Sequence, residues 1–108
     1  MTLEQLKRDV RNVPDFPKKG IQFKDITTII SDPDELRFMR DELTALYRDK
    51  GITKVVGIES RGFILAPAVA IELGAGFVPI RKQGKLPAET IEISYEKEYG
   101  IDFMQIHK

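Results

Sequence analysis

Leu3, Leu6 and Val10 stand at i, i+3 and i+7, the spacing of one helical face, and predict a short helix over residues 3–12. Pro14 and Pro17 break any helix there, because proline fixes φ and lacks an amide proton. From Gly20 to Ile26 the chain alternates enough to predict an extended segment or short strand. The β-branched run Thr27 to Ile30 would extend it.

A longer helix is marked more strongly. Asp32 suits the cap, Pro33 the first helical position, and Glu35 the third residue of a capping box. Leu36, Met39, Leu43, Leu46 and Tyr47 then form an apolar stripe at helical spacing. Arg48 and Lys50 suit the negative end of the helix dipole, and Gly51 suits a left-handed terminating residue. Val55–Ile58 is short and wholly apolar, as expected of a strand buried on both faces. Residues 62–73 predict a third helix ending at Gly74, with Pro67 delaying its start or bending it. Phe77–Ile80 predicts another buried strand.

Strand, helix, strand, helix, strand is the order of an α/β fold with parallel strands. The last segments differ. Thr90–Tyr95 and Ile101–Ile106 both alternate apolar and polar residues, with Glu96–Gly100 between them, and predict an antiparallel hairpin with a mobile tip.

Composition changes this picture little. Lys plus Arg and Asp plus Glu number 17 each, which argues against a general nucleic-acid binder. The absence of cysteine excludes disulfides, thiolate metal sites and cysteine catalysis. The opening residues are too polar for a signal peptide, and no apolar run approaches a membrane span, so a cytoplasmic protein is the expectation. No cluster has convincing metal-ligand spacing, and His107, the one histidine, has no partner in sequence.

Three segments carry candidate chemistry. Ile58–Phe63 joins a strand to a helix, at the carboxyl edge where α/β sheets bind ligands. Amides of Ser60, Arg61 and Gly62 could meet an anion there, and the Arg61 guanidinium could add a forked contact. An ordinary turn is the commoner meaning of that spacing. Arg81-Lys82-Gln83-Gly84-Lys85 places three cations around a glycine just after the next strand, suiting pyrophosphate or a solvated loop. Two cationic loops after successive strands weigh more than either alone. The acidic tip with Glu96, Glu98 and Tyr99 could close over a ligand and exchange a proton, although solvated turns are more common.

These segments resemble the adenine phosphoribosyltransferases, of the type I phosphoribosyltransferase family. The likeness rests on Pro14–Pro17 with Gly20–Thr27, on Val55–Phe63, on Arg81–Pro87, and on Ser94-Tyr95 with Glu98–Gly100, in collinear order along essentially all 108 residues. It implies a single α/β domain. Residues 1–30 would form a base-binding opening segment and residues 31–108 a partial phosphoribosyltransferase-like core. That core would be a parallel sheet with flanking helices plus a flexible antiparallel hairpin over 81–107, incomplete at the carboxyl end.

The resemblance also implies an activity, the transfer of ribose 5-phosphate from phosphoribosyl pyrophosphate to adenine, giving AMP and pyrophosphate in purine salvage. Magnesium would be carried by the pyrophosphate. Phe23 would stack on adenine, and backbone groups of Gln22 and Lys24 would read its edge; many members have Arg at the position of Lys24. The Glu59–Ser60 peptide corresponds to a site that adopts a cis form. Glu59, Ser60, Arg61, Arg81 and Lys85 would hold pyrophosphate, with Arg81 reaching a partner subunit's site in a homodimer. Glu98 would exchange a proton with the purine, and Tyr99 would help close the lid.

The family also carries a later strand, an acidic pair and a Gly- and Thr-rich turn that bind the ribose phosphate. The sequence stops at Ile106-His107-Lys108, before that motif, so the expectation for these residues alone is weak or no turnover and a tendency to associate. Two other functions fit the same residues. One is a non-catalytic purine- or nucleotide-sensing module; the other is the same chemistry on another base, such as xanthine.

Overall fold

The computed structural model of the chain describes residues 1–97 and 100–108. They form two compact units, Met1–Glu42 and Leu43–Lys108, and each unit has its own β-sheet.

The first unit opens with helix α1, Leu3–Asp9. Thr2 caps it in a reciprocal box: its hydroxyl accepts from the Gln5 amide at 3.1 Å, and the Gln5 side chain accepts from the Thr2 amide at 2.8 Å. The helix is shorter than its spacing predicts. Arg11–Pro14 leaves it as strand β1, which pairs antiparallel with β2, Gln22–Asp25, in the register Arg11↔Asp25 to Pro14↔Gln22. A strand partner distant in sequence overrides helical periodicity at the end of α1.

The run Thr27–Ile30 is likewise not an extension of β2 but a helical turn, α2. Asp25 decides this locally. Its Oδ1 accepts from the Thr27 amide at 2.9 Å and from the Thr27 hydroxyl at 2.7 Å, which turns the chain away from extended geometry despite its β-branched residues. The Thr28 hydroxyl donates to the Asp9 carbonyl at 2.7 Å, tying α2 to the end of α1, and Ile29 is buried.

Helix α3, Pro33–Tyr47, starts where expected. The Asp32 carboxylate accepts from the amides of Asp34 and Glu35 at 2.9 and 3.0 Å. The reciprocal half of the box is absent: the Asp32 amide donates to the Ile29 carbonyl, and the Glu35 carboxyl bonds instead to Asp9. The helix ends at Tyr47, before Gly51. Asp49 and Gly51 both take left-handed φ, 61° and 67°, in the turn that follows.

The second unit contains β3, Lys54–Ile58, then α4, Gly62–Leu73, and β4, Gly76–Lys82. The strands β3 and β4 are parallel, in register from Lys54↔Gly76 to Ile58↔Ile80, and α4 crosses between them and packs on both. Gly74 ends α4 in the left-handed conformation, and the helix runs through Pro67 from a start at Gly62. Val69 and Ala70 are buried on its inner face, and Phe63 meets Phe77 edge to face at 5.6 Å.

The hairpin follows as β5, Thr90–Lys97, and β6, Gly100–His107, giving the sheet order β3-β4-β6-β5. Strand β4 joins it antiparallel only through Arg81↔Gln105 and Lys82↔Met104. The sheet is therefore mixed, and its parallel part is two strands wide. The early strand β2 belongs to the other unit's sheet. Strand β3 is not buried on both faces as its apolar run predicts: Val56 and Ile58 are half exposed, because α4 covers only the face carrying Val55 and Gly57. Among the described residues, no helix is long and apolar enough to cross a membrane.

Candidate functional site

The first unit holds an aromatic pocket of about 330 Å³, lined by Arg11, Val13, Phe16, Phe23 and Asp25. Strand periodicity builds it. Arg11 and Val13 of β1 stand opposite Asp25 and Phe23 of β2, so all four share one face of the two-stranded sheet. Phe16 closes the side, its ring edge-on to Phe23 at 5.2 Å. The Arg11 Nε donates to Asp25 Oδ2 at 2.9 Å. The Thr27 hydroxyl and amide, followed by Arg11, hold the Asp25 carboxyl down at about 2, so the pocket floor is an ion pair in any neutral buffer.

Gln22 and Lys24 alternate onto the opposite face. There Asn12 Nδ2 donates to Gln22 Oε1 at 2.8 Å, and the Lys24 ammonium donates to Asn12 Oδ1 at 2.9 Å. Of the three residues expected to meet a base, only Phe23 turns its side chain to the pocket. Arg11, Val13 and Asp25 were not singled out from the sequence, where their alternation with Asn12 and Lys24 was the available signal.

The second unit holds the cationic site at the carboxyl ends of β3 and β4. The Glu59–Ser60 peptide is cis, in accord with the expectation, as is Phe16–Pro17 in the first unit. The Glu59 amide donates to the Ile80 carbonyl at 2.9 Å, continuing the parallel ladder one residue past β3. Its carboxylate then reaches across to β4: one oxygen accepts from the Lys82 amide at 3.1 Å and from Arg81 Nε at 3.2 Å. These donors, Lys82 first, hold the Glu59 carboxyl below the ordinary glutamate range. The Arg81 guanidinium lies 5.9 Å from the centre of the Phe63 ring, at cation–π range.

Ser60 and Arg61 lead into α4. Their carbonyls accept from the amides of Phe63 and Ile64 at 3.1 Å each, and among the described residues no carbonyl accepts from the amides of Ser60 or Gly62. That leaves donors at the positive end of the helix dipole. Lys85 sits in a turn closed by its own amide bonding the Lys82 carbonyl at 3.2 Å, with Gly84 at φ 84°. The Gly84 amide donates to the Gln105 side chain at 3.2 Å, and Gln105 in turn bonds Glu92, so the hairpin strands hold this cationic turn. Glu59 and Arg81 are brought together directly; Lys85 lies on the same connection, and Ser60 and Arg61 on the loop that Glu59 begins. Gln105, Glu92 and Phe63 were not foreseen in these roles. Glu98 and Tyr99 lie outside the described residues.

A parallel β–α–β unit with a cis peptide in its strand–helix loop, continuing into an antiparallel hairpin beside a cationic turn, has the form of a phosphoribosyltransferase core. The comparisons narrow the class. No family model matches the chain. An adenine phosphoribosyltransferase of Bacteroides fragilis is 60% identical over all 108 residues, which span 61% of that protein. The crystal structure of the enzyme of that name from Thermoanaerobacter pseudethanolicus matches 98% of the chain at TM-score 0.92 and 45% identity, over 62% of its own length. The one from Giardia lamblia, complexed with 9-deazaadenine, matches 99% of the chain at TM-score 0.92 and 46% identity, over 60% of its length. The chain is similar over its whole length to adenine phosphoribosyltransferases, and it spans about three fifths of the length of these relatives.

Proposed function

We propose that these residues are the base- and pyrophosphate-binding part of an enzyme that transfers ribose 5-phosphate from phosphoribosyl pyrophosphate to adenine in purine salvage. The observation that carries this reading is the likeness, across 99% of the chain, to the Giardia enzyme that holds an adenine analogue. The pocket between Phe16 and Phe23 suits a flat heteroaromatic ring, with Phe23 stacking on it and backbone groups of Gln22 and Lys24 at its edge.

The chemistry asks for charge stabilisation. As the bond from the sugar carbon to pyrophosphate breaks, positive charge develops on the sugar and negative charge on the leaving group. Arg61, Arg81, Lys85 and the amides opening α4 would meet the latter, preorganised by the fold. Magnesium fits as an ion brought in by the pyrophosphate: the donors here are cations and amides suited to phosphate oxygens. Among the described residues, no group of three or more carboxylates or histidines is placed to hold the ion directly. When bound, the ion would neutralise charge on the leaving group. Glu98 exchanging a proton with the purine and Tyr99 closing over it complete the reading, as do a homodimeric assembly and a cytoplasmic setting.

Adenine-dependent release of pyrophosphate from phosphoribosyl pyrophosphate by the purified protein tests the proposal. Release with adenine and not with xanthine supports it. Release with xanthine alone moves the base assignment. Tight adenine binding without release points to a sensing module instead.

A further inference from the structure

His107 has no partner nearby in the sequence, and the fold gives it one. Its Nε2 accepts from the Ala88 amide at 3.3 Å, 19 residues back along the chain. Ala88 belongs to the stretch 83–89, which joins β4 to β5 and carries Lys85.

Strand alternation decides which side chains meet that connection. Gln105 and His107 lie two apart on β6, opposite Glu92 and Thr90 of β5, so all four share one face of the hairpin. Ile91, Ile93, Met104 and Ile106 take the other face. The connection is tied to the polar face at both ends. At the first, the Gly84 amide donates to the Gln105 side chain at 3.2 Å, and Glu92 accepts from the side-chain nitrogens of Gln83 and Gln105. At the second, the Ala88 amide donates to His107. Two residues of a strand span about 7 Å. Gly84 to Ala88 is therefore arched over a short chord, with Lys85, Leu86 and Pro87 as its crest. Beyond Gly84, the bond to His107 is the one hydrogen bond from the arch to the hairpin strands among the described residues. Pro87 has no amide proton to offer.

This clasp depends on the protonation of one atom. To accept, Nε2 must be bare, with the ring proton on Nδ1. Once the ring takes a second proton both nitrogens are donors, and the Ala88 N–H meets another N–H. Histidine makes that change between about pH 5 and about pH 8. The charged groups around the ring come from the connection (Lys85, Glu89), from β5 (Glu92) and from the residue after β6 (Lys108). Glu89 pairs with Lys108 at 3.3 Å, Glu92 holds the two glutamines, and Lys85 stands on the crest. None of these bonds involves the ring, so its protonation acts on the Ala88 bond.

We infer that His107 is a positioning residue: its neutral ring clasps the β4–β5 connection through Ala88 and fixes the crest that carries Lys85, and protonation of the ring opens the clasp. The consequence for pyrophosphate rests on the function proposed above; the clasp itself does not.

The test reads the clasp first without ligand. In ¹⁵N-labelled protein, the protection of the Ala88 amide against solvent exchange should fall about fivefold between about pH 8 and about pH 5, the loss of one exposed hydrogen bond. His107 is exposed, so H107A and H107Q should fold as the parent does. H107A should lack the protection at both pH values. H107Q, whose amide oxygen accepts without titrating, should show no fall. Pyrophosphate titrations then read the crest. The ratio of variant to parent Kd for H107A should be about threefold or more at about pH 8, and below about twofold at about pH 5, where the parent has also lost the clasp.

Ala88 protection equal at the two pH values in the parent overturns the inference. So does a fall of the same size in H107A, since another group would then titrate. An H107A ratio that is the same at both pH values refutes the positioning role. A clasp that titrates as described in a protein that binds no pyrophosphate refutes the proposed function and leaves the clasp standing.

Discussion

Gly57 and Gly62 face each other across the turn from β3 to α4, each standing where a side chain on the other would have to go. A Cβ on Gly57 would lie 2.9 Å from the Gly62 carbonyl oxygen, 2.9 Å from Ala66 Cβ and 2.7 Å from a Phe77 ring carbon. One on Gly62 would lie 3.2 Å from Gly57 Cα. The helix packs closely on the strand only because both positions lack side chains. G57A should therefore destabilise the protein by about 1–3 kcal/mol, and G62A by less. Thermal melts check this: an unchanged melting temperature in G57A would mean that α4 sits farther from β3.

The carboxyl pair of Glu35 and Asp9 in the first unit sets a pH dependence of stability. Glu35 is buried, and its hydrogen bond with Asp9, then burial, then the charges of Asp9 and Asp32 push its carboxyl up to about 7. The folded chain keeps a proton there that the unfolded chain releases near 4.5. Stability from this group is complete below about 4.5 and is lost as pH rises through about 7. E35Q should flatten that slope, read as the difference in melting temperature between about pH 5 and about pH 8. Asp25 acts with the opposite sign in a separate window: its carboxyl is lowered to about 2, so its contribution fades only as pH falls below 3.8.

Phe23 and Lys24 should separate in binding experiments. Phe23 lines the pocket, and F23A should weaken adenine binding roughly 5- to 150-fold, the range for loss of one base–aromatic stack. The Lys24 side chain is bonded to Asn12 on the other face, so K24A should change affinity by less than about threefold. Calorimetric titration with adenine measures both, and a larger loss in K24A would place the base on the wrong face of β2.

Asp32 carries the start of α3 by itself, since Glu35 does not return the cap. D32A should cost about 1 kcal/mol in chemical denaturation, and D32N much less, because Asn accepts the same amide bonds.

Much of the fold was legible because its signals are local. The Asp32-Pro33 start of α3, the Gly74 stop of α4, the apolar runs of β3 and β4 and the alternation of the hairpin all concern residues within a few positions of one another. Two misreadings share one cause. Arg11–Pro14 becomes a strand only because Gln22–Asp25 is there to pair with it, and Thr27–Ile30 turns helical because the Asp25 side chain intercepts its first amide. Neither partner is visible to a periodicity count.

The same division runs through the site. The sequence alone singled out the candidate residues: a glycine-bearing strand–helix loop with Glu59, Ser60 and Arg61, cations at Arg81 and Lys85, and an aromatic at Phe23, in an order that resembles one enzyme family. Only the tertiary structure decided what each does with its side chain. Parallel register sets Gly57 beside Pro79 and Ile58 beside Ile80, so the loop after β3 begins level with Arg81. A carboxylate 22 residues away thereby becomes that arginine's anchor. Alternation on β2 turns Phe23 into the pocket and Lys24 away from it. Register and facing depend on which strands meet, and strand pairing is a property of the folded chain.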